Sequence, residues 1–165
     1  MIEFKDFNNN DLELMKDAWN DVLEDGIAFP GLDMFDTDSF KDYLLQQSKV
    51  TCMYENNTLL GYYIIHPNNI GRCSHVANAS YVMLKESRGK HLGKVLVKQS
   101  LIDAYNLGFK GMQYNAVVAN NEKALHIYDS LGFTRVGIIP KGFLLKNGTY
   151  SDMYVMYKGL KKEII

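Results

Sequence analysis

Cysteine, proline and excess charge are all scarce in this chain of 165 residues, and each scarcity excludes something. Two cysteines, Cys52 and Cys73, cannot staple a small secreted scaffold and show no metal-ligand spacing, so they read as reduced thiols of a cytoplasmic protein with no metal. With 18 basic against 19 acidic residues the formal charge is −1, which offers nucleic acid or an anionic membrane no basic field. No apolar run approaches the length of a membrane span. The start, MIEFKDFNNN, lacks the basic and apolar segments of a signal peptide, so the protein reads as soluble and unprocessed. Three prolines, no repeat and no low-complexity tract leave no linker. What is abundant is core material, 47% apolar residues, enough to fold residues 1–165 as one domain.

The patterning supplies an element order. IEFKDF at 2–7 alternates as a half-buried strand. Asn10 with Glu13 has capping-box spacing and opens a helix with Leu12, Met15, Trp19, Val22 and Leu23 on one side, ended by Gly26 and Pro30. GIAFPGLDMFD is an apolar loop carrying Phe29, Met34 and Phe35, before a second helix capped near Thr37 or Asp38 with Phe40, Tyr43 and Leu44 inward. VTCMYE and LLGYYIIH around Asn56-Asn57 make a hairpin. A longer strand at 75–84, a helix at 91–107 stopped by Gly108, the strand MQYNAVV, a helix at 121–131, and the strands FTRVGII and TYSDMYVMY complete the chain. This is an α/β (α+β) order, with a mixed central sheet of six or seven strands flanked by about four helices.

Between the strand at 75–84 and the following helix lies SRGKHLGK, at 87–94. A glycine turn feeding a helix N-terminus presents unpaired N–H groups and the positive end of the helix dipole, which makes an anion site. Its spacing fits neither GxGxxG nor GxxxxGK[ST], because Lys94 is followed by Val95, so dinucleotides and nucleoside triphosphates are disfavoured.

RGKHLGK within YVMLKESRGKHLGKVLV resembles the acyl-CoA pyrophosphate loop of the GCN5-related N-acetyltransferase superfamily; Arg88 and Gly93 match, and His91 stands where a small residue is usual. NEKALHIYDSLGF, at 121–133, is similar to that superfamily's next motif through Asn121, Ala124, Tyr128, Gly132 and Phe133. The element order matches too. The resemblance implies acetyl-CoA as co-substrate, with Arg88, Gly89, Lys90, His91, Leu92, Gly93 and Lys94 as the loop around the pyrophosphate and the backbone amides around Lys90 to Lys94 as its donors. It also implies that the backbone of Met83 and Leu84 pairs with pantetheine as an added strand, beside a bulge that frees amides for the thioester oxygen. His91 is tolerated, on this reading, with an ordinary φ and an outward side chain.

Helix geometry is consistent with the second motif. At 100° per residue Asn121 and Tyr128 differ by roughly 20° after full turns and stand roughly 10.5 Å apart along the axis, with Ala124 between them. By the resemblance Tyr128 is the general acid for the departing thiolate, and Asn121 assists by bonding the pantetheine or sulfur end. The general base stays open. The strand HVANASYVML carries no carboxylate; His75 starts it, Glu24 and Asp25 lie near the apolar loop, and His126 points away from Tyr128.

HPNNIGR, HVANAS and NAVVAN resemble stretches of fungal proline-analogue N-acetyltransferases of the same superfamily. That similarity implies an amino-acid-like acceptor bound by Asn78, with Asn115 as a second contact and Phe29 from a lid-like loop. The expected partner is a small-molecule amine, and a homodimer is compatible with the reading. The alternatives are a protein N-terminal or lysine acetyltransferase and a non-catalytic acyl-CoA-binding domain.

Overall fold

The computed structural model describes residues 1–163; Ile164 and Ile165, which the single-domain reading includes, lie outside the described residues. In chain order the elements are β1 (Ile2–Asp6), α1 (Leu12–Asp25), α2 (Thr37–Leu45), β2 (Lys49–Glu55), β3 (Thr58–Pro67), β4 (Val76–Met83), α3 (Gly93–Asn106), β5 (Gly111–Val118), α4 (Glu122–Ser130), β6 (Thr134–Leu144) and β7 (Tyr150–Gly159). The strands form one seven-stranded sheet, β1-β2-β3-β4-β5-β7-β6. Every neighbouring pair is antiparallel except β4 and β5, which run parallel with α3 as the crossover.

Each face of the sheet carries its own apolar core. On one, Met15, Trp19, Phe40 and Leu44 from α1 and α2 pack on Cys52, Tyr62, Ile64 and Val82. On the other, Leu96, Leu101 and Ala104 from α3 pack on Tyr63, Ile65, Ala77 and Met112. LLGYYIIH in β3 is therefore a continuous apolar run, because helices cover both of its faces. The Asn56-Asn57 turn takes the left-handed φ values of 50° and 63° that a tight hairpin requires.

Several helix starts differ from the sequence expectation. No Asn10–Glu13 capping box forms. Asn8 instead accepts from the amides of Asn10 and Asp11, capping a short 3-10 turn ahead of α1, while Glu13 accepts from Lys16 and Thr37. The cap of α2 is Asp36 rather than Thr37 or Asp38, in a reciprocal box with Ser39. Helix α3 begins at Gly93, since Gly89 and His91 hold φ of 78° and 60°, which helical backbone does not allow.

Among the described residues no helix is long and apolar enough to cross a membrane. Cys52 is buried, Cys73 is exposed, and both are free thiols.

Candidate active site

The pairing of β4 with β5 is brief. Val76 faces Gly111 and Ala77 faces Met112; beyond them the ladder ends and the strands part. The opening is a fork in the middle of the sheet, and a cavity of about 620 Å3 runs through it. One end is lined by Gly93, Val97, Ala124 and Tyr128, the other by Trp19, Phe29, Tyr43, Asn78 and Asn115.

The expected bulge on β4 is absent, as its register with β3 is continuous from Ala77 to Met83. Backbone groups come free by divergence instead. The Leu84 amide donates to Leu60 O at 3.0 Å and its carbonyl accepts from Ser87, so Leu84 is not the free strand edge expected of it. Backbone direction alternates along a strand, so the groups of Met83, Tyr81 and Ala79 face the fork. Met83 O already accepts from Arg88 Nε at 3.2 Å.

At the mouth of the fork, the turn at 88–92 enters α3. None of the amides of residues 89–95 has an acceptor among the described residues, and the first bond of the helix is Leu96 N to Leu92 O. Lys90 and Lys94 are exposed and make no ion pair among those residues. Arg88 is engaged elsewhere: its guanidinium meets Asp25 at 3.2 Å and fastens the turn to the end of α1. His91 corrects the sequence reading, because its φ is left-handed rather than ordinary. That is the conformation glycine supplies freely, and histidine takes it at a cost of about 1 kcal/mol. Gly93 answers a different need. A Cβ there would stand 3.0 Å from Ile127 Cδ1, so its smallness lets α3 begin close against α4.

Asn121, Ala124 and Tyr128 share the cavity-facing side of α4, as their spacing implies. Asn121 is the N-cap: its Oδ1 accepts from Ala124 N at 3.3 Å and its Nδ2 reaches Ile27 O at 3.5 Å. Tyr128 is half-buried, its ring 4.5 Å from Tyr114 and 5.6 Å from Phe133. Its hydroxyl has no hydrogen-bond partner among the described residues. Burial pushes that hydroxyl above its ordinary range, so it holds its proton at neutral pH. Beside it Tyr81 bonds Tyr114 and Ser100, and burial takes Tyr81 up to about 12.

The opposite end is walled by the loop at 27–35. Asn20 holds its end, donating to Phe35 O at 2.9 Å and accepting from Phe35 N at 3.0 Å. Trp19 and Phe29 have ring centroids 4.4 Å apart. Phe29 and Phe35 thus pack on the core and line the cavity, whereas Met34 is exposed. Asn78 Nδ2 donates to Gln113 O at 2.8 Å, spanning the fork where the ladder ends. Asn115 is held by Gln113 at 2.9 Å and Asn68 at 2.7 Å, beside the irregularity in β5 between Tyr114 and Val117. A bulge of that kind re-aims side chains.

Three of the weighed base candidates lie away from the cavity. His75 is exposed, Glu24 pairs with Lys146 at 3.0 Å, and Asp25 pairs with Arg88. His126, set aside on helical geometry, is exposed as well. The sequence reading missed His66 and Asp33, which do line it, together with Tyr81 and Tyr114. The available signal for His66 was its place at the end of an apolar hairpin strand; its position opposite Asn78 comes from the β3–β4 register.

Compared with known families, residues 13–133 match the model of the Acetyltransferase (GNAT) family. The chain belongs to that family. It is 38% identical to N-acetyltransferase aca1 of Schizosaccharomyces pombe over 59% of this chain and 47% of that protein. It is 28% identical to spermidine N(1)-acetyltransferase of Vibrio cholerae over 49% and 46%. The chain thus spans about half the length of these curated relatives. Among solved structures, a GCN5-related N-acetyltransferase from Kribbella flavida superposes at a TM-score of 0.88, with 25% identity over 96% of this chain and 98% of that one. A phosphinothricin acetyltransferase from Sinorhizobium meliloti in complex with acetyl-CoA superposes at 0.88, with 17% identity over 98% and 89%. The resemblance read from the two motifs is therefore a family relationship. Acetyl-CoA is the co-substrate the family implies, and the residues fit it: unpaired amides at a helix N-terminus, free lysines beside them, and an open strand edge leading into the fork.

Proposed function

We propose that this protein transfers an acetyl group from acetyl-CoA to the primary or secondary amine of a small molecule, an amino acid or an analogue of one. The observation that carries this reading is the single cavity through the β4–β5 fork, with an anion-binding turn at one mouth and an aromatic, amide-lined chamber under a pinned loop at the other. A bound thioester supplies an activated acyl carbon; the protein orients the two partners and manages protons. Amides of 89–95 hold the pyrophosphate, and the fork-side backbone of Met83 aligns the pantetheine. Tyr128 gives its proton to the departing sulfur, and the Asn121 amide, fixed by its capping bond, steadies that end.

On the acceptor side, the free oxygen and second N–H of Asn78, with Asn115 beside it, suit a polar head group, and Phe29 and Trp19 suit an apolar body. Two of the similar proteins carry small amines in their names, spermidine and phosphinothricin, which supports a small acceptor. Coenzyme A release measured with acetyl-CoA against amino acids, polyamines and a lysine peptide tests the proposal. Turnover with small amines supports it; turnover confined to the peptide, or with no amine, overturns it.

A further inference from the structure

We infer that His66 is the general base that takes the proton from the attacking amine. The inference rests on the acetyl-transfer reading above and assigns the one role that reading leaves vacant. His66 ends β3, and its Cα is the register partner of Asn78. Directly opposed residues of an antiparallel pair share a face, with Cβ atoms roughly 5 Å apart. That face is the one toward α1 and α2, because Ile64, two residues back, packs there while Ile65 packs on the other. His66 is half-buried and lines the cavity at its acceptor end.

The ring is set for the task. Nδ1 lies 2.9 Å from Pro67 O. A carbonyl only accepts, so in the neutral ring Nδ1 carries the hydrogen and Nε2 keeps the lone pair. The remaining titratable groups of the lining are Asp33 from the loop, Tyr43 from α2, Tyr81 from β4, Tyr114 from β5 and Tyr128 from α4; the lining includes no lysine or arginine. Burial raises all four tyrosines, which therefore arrive already protonated and cannot accept. Asp33 sits on the exposed stretch of the loop, without the strand register that places His66 beside Asn78. The imidazole is the base built into the sheet itself.

In the step so assigned, the amine nitrogen forms the bond to the acyl carbon and its proton passes to His66 Nε2. The carbon–sulfur bond breaks, and the sulfur takes the hydroxyl proton of Tyr128. Transfer of a proton from the imidazolium to the tyrosinate through solvent restores both groups.

The test uses the whole chain with acetyl-CoA and an amine that it acetylates. His66→Gln retains an N–H for Pro67 O and removes the base. With an alkylamine it should lower kcat/KM by about 10²-fold or more, and with a weakly basic amine, which stays unprotonated across the range, it should abolish the acid limb of the pH–rate profile. Coenzyme A affinity should stay within twofold of wild type, which also reports on folding. In His66→Ala, added imidazole should restore part of the rate, and a weakly basic amine that is unprotonated at neutral pH should lose less than an alkylamine. A His66→Gln enzyme within threefold of wild type on the alkylamine, or one that keeps its acid limb with the weakly basic amine, would overturn the assignment. The same loss in Asp33→Asn with none in His66→Gln would hand the role to the loop carboxylate. A wild-type chain that turns over no amine would instead remove the acetyl-transfer reading and the base with it.

Discussion

The hydroxyls of Tyr81 and Tyr114 lie 2.5 Å apart across the gap between β4 and β5. They close a hydrogen-bonded chain that continues to Ser100 and the Val97 carbonyl, and so hold the two strands where their backbones no longer pair. They also leave Tyr128, packed on Tyr114, as the neighbouring tyrosine whose hydroxyl is free toward the cavity. Tyr128→Phe should keep the packing and remove the proton. Turnover should fall by about 10²-fold with coenzyme A affinity unchanged; steady-state kinetics beside calorimetry checks both halves.

Asn121 combines a cap with a proposed contact, and substitution can part the two. Asn121→Asp keeps the oxygen that accepts from Ala124 N and removes the amide donor, so activity should drop while the melting temperature holds. Asn121→Ala should lower both, with about 1 kcal/mol of stability lost with the cap. Equal activity in Asn121→Asp and wild type would reduce Asn121 to its capping role.

The turn at 88–92 makes opposite predictions for its two unusual residues. Gly93→Glu sets bulk against Ile127 and negative charge beside the free amides, and calorimetry should find coenzyme A binding abolished. His91→Gly relieves a left-handed histidine. Its effect on binding should stay below roughly 1 kcal/mol, because the amide does the work, and the unfolding free energy should change by less than about 0.6 kcal/mol, because glycine's added chain entropy offsets most of the strain relieved.

Asn78→Ala removes both the proposed acceptor contact and the bond to Gln113 O. KM for a carboxylate-bearing amine should rise while an uncharged amine of similar size changes little. Equal losses for both acceptors would assign Asn78 to holding the fork together.

Burial lifts the Cys52 thiol to about 12. A folded value above the unfolded one leaves stability intact below about 9 and erodes it as pH rises toward 12, by about 1.4 kcal/mol per pH unit. The buried tyrosines add to the loss above about 10. Urea midpoints at pH 8, 9 and 10 should fall only after 9, and alkylation at pH 8 should label Cys73 and spare Cys52.

Local structure was legible in the sequence. Alternation, glycine stops and the Asn-Asn turn fix element type within a few neighbouring residues, and both segments that resemble the family's motifs are contiguous, so the turn into α3 at 87–94 and the shared face of Asn121 and Tyr128 could be read directly. Capping was less legible, because Asn8, Asn10, Asp36, Thr37 and Asp38 are all good caps and backbone geometry chose among them. His91 shows the limit at one residue: the chain accepted strain where side-chain identity argued for an ordinary φ. Only the tertiary structure decided where β4 leaves β5, how Arg88 is diverted to Asp25, and that His66 stands across from Asn78. Those outcomes depend on pairing between segments far apart in sequence, and the register of a ladder is set by the packing of both faces at once.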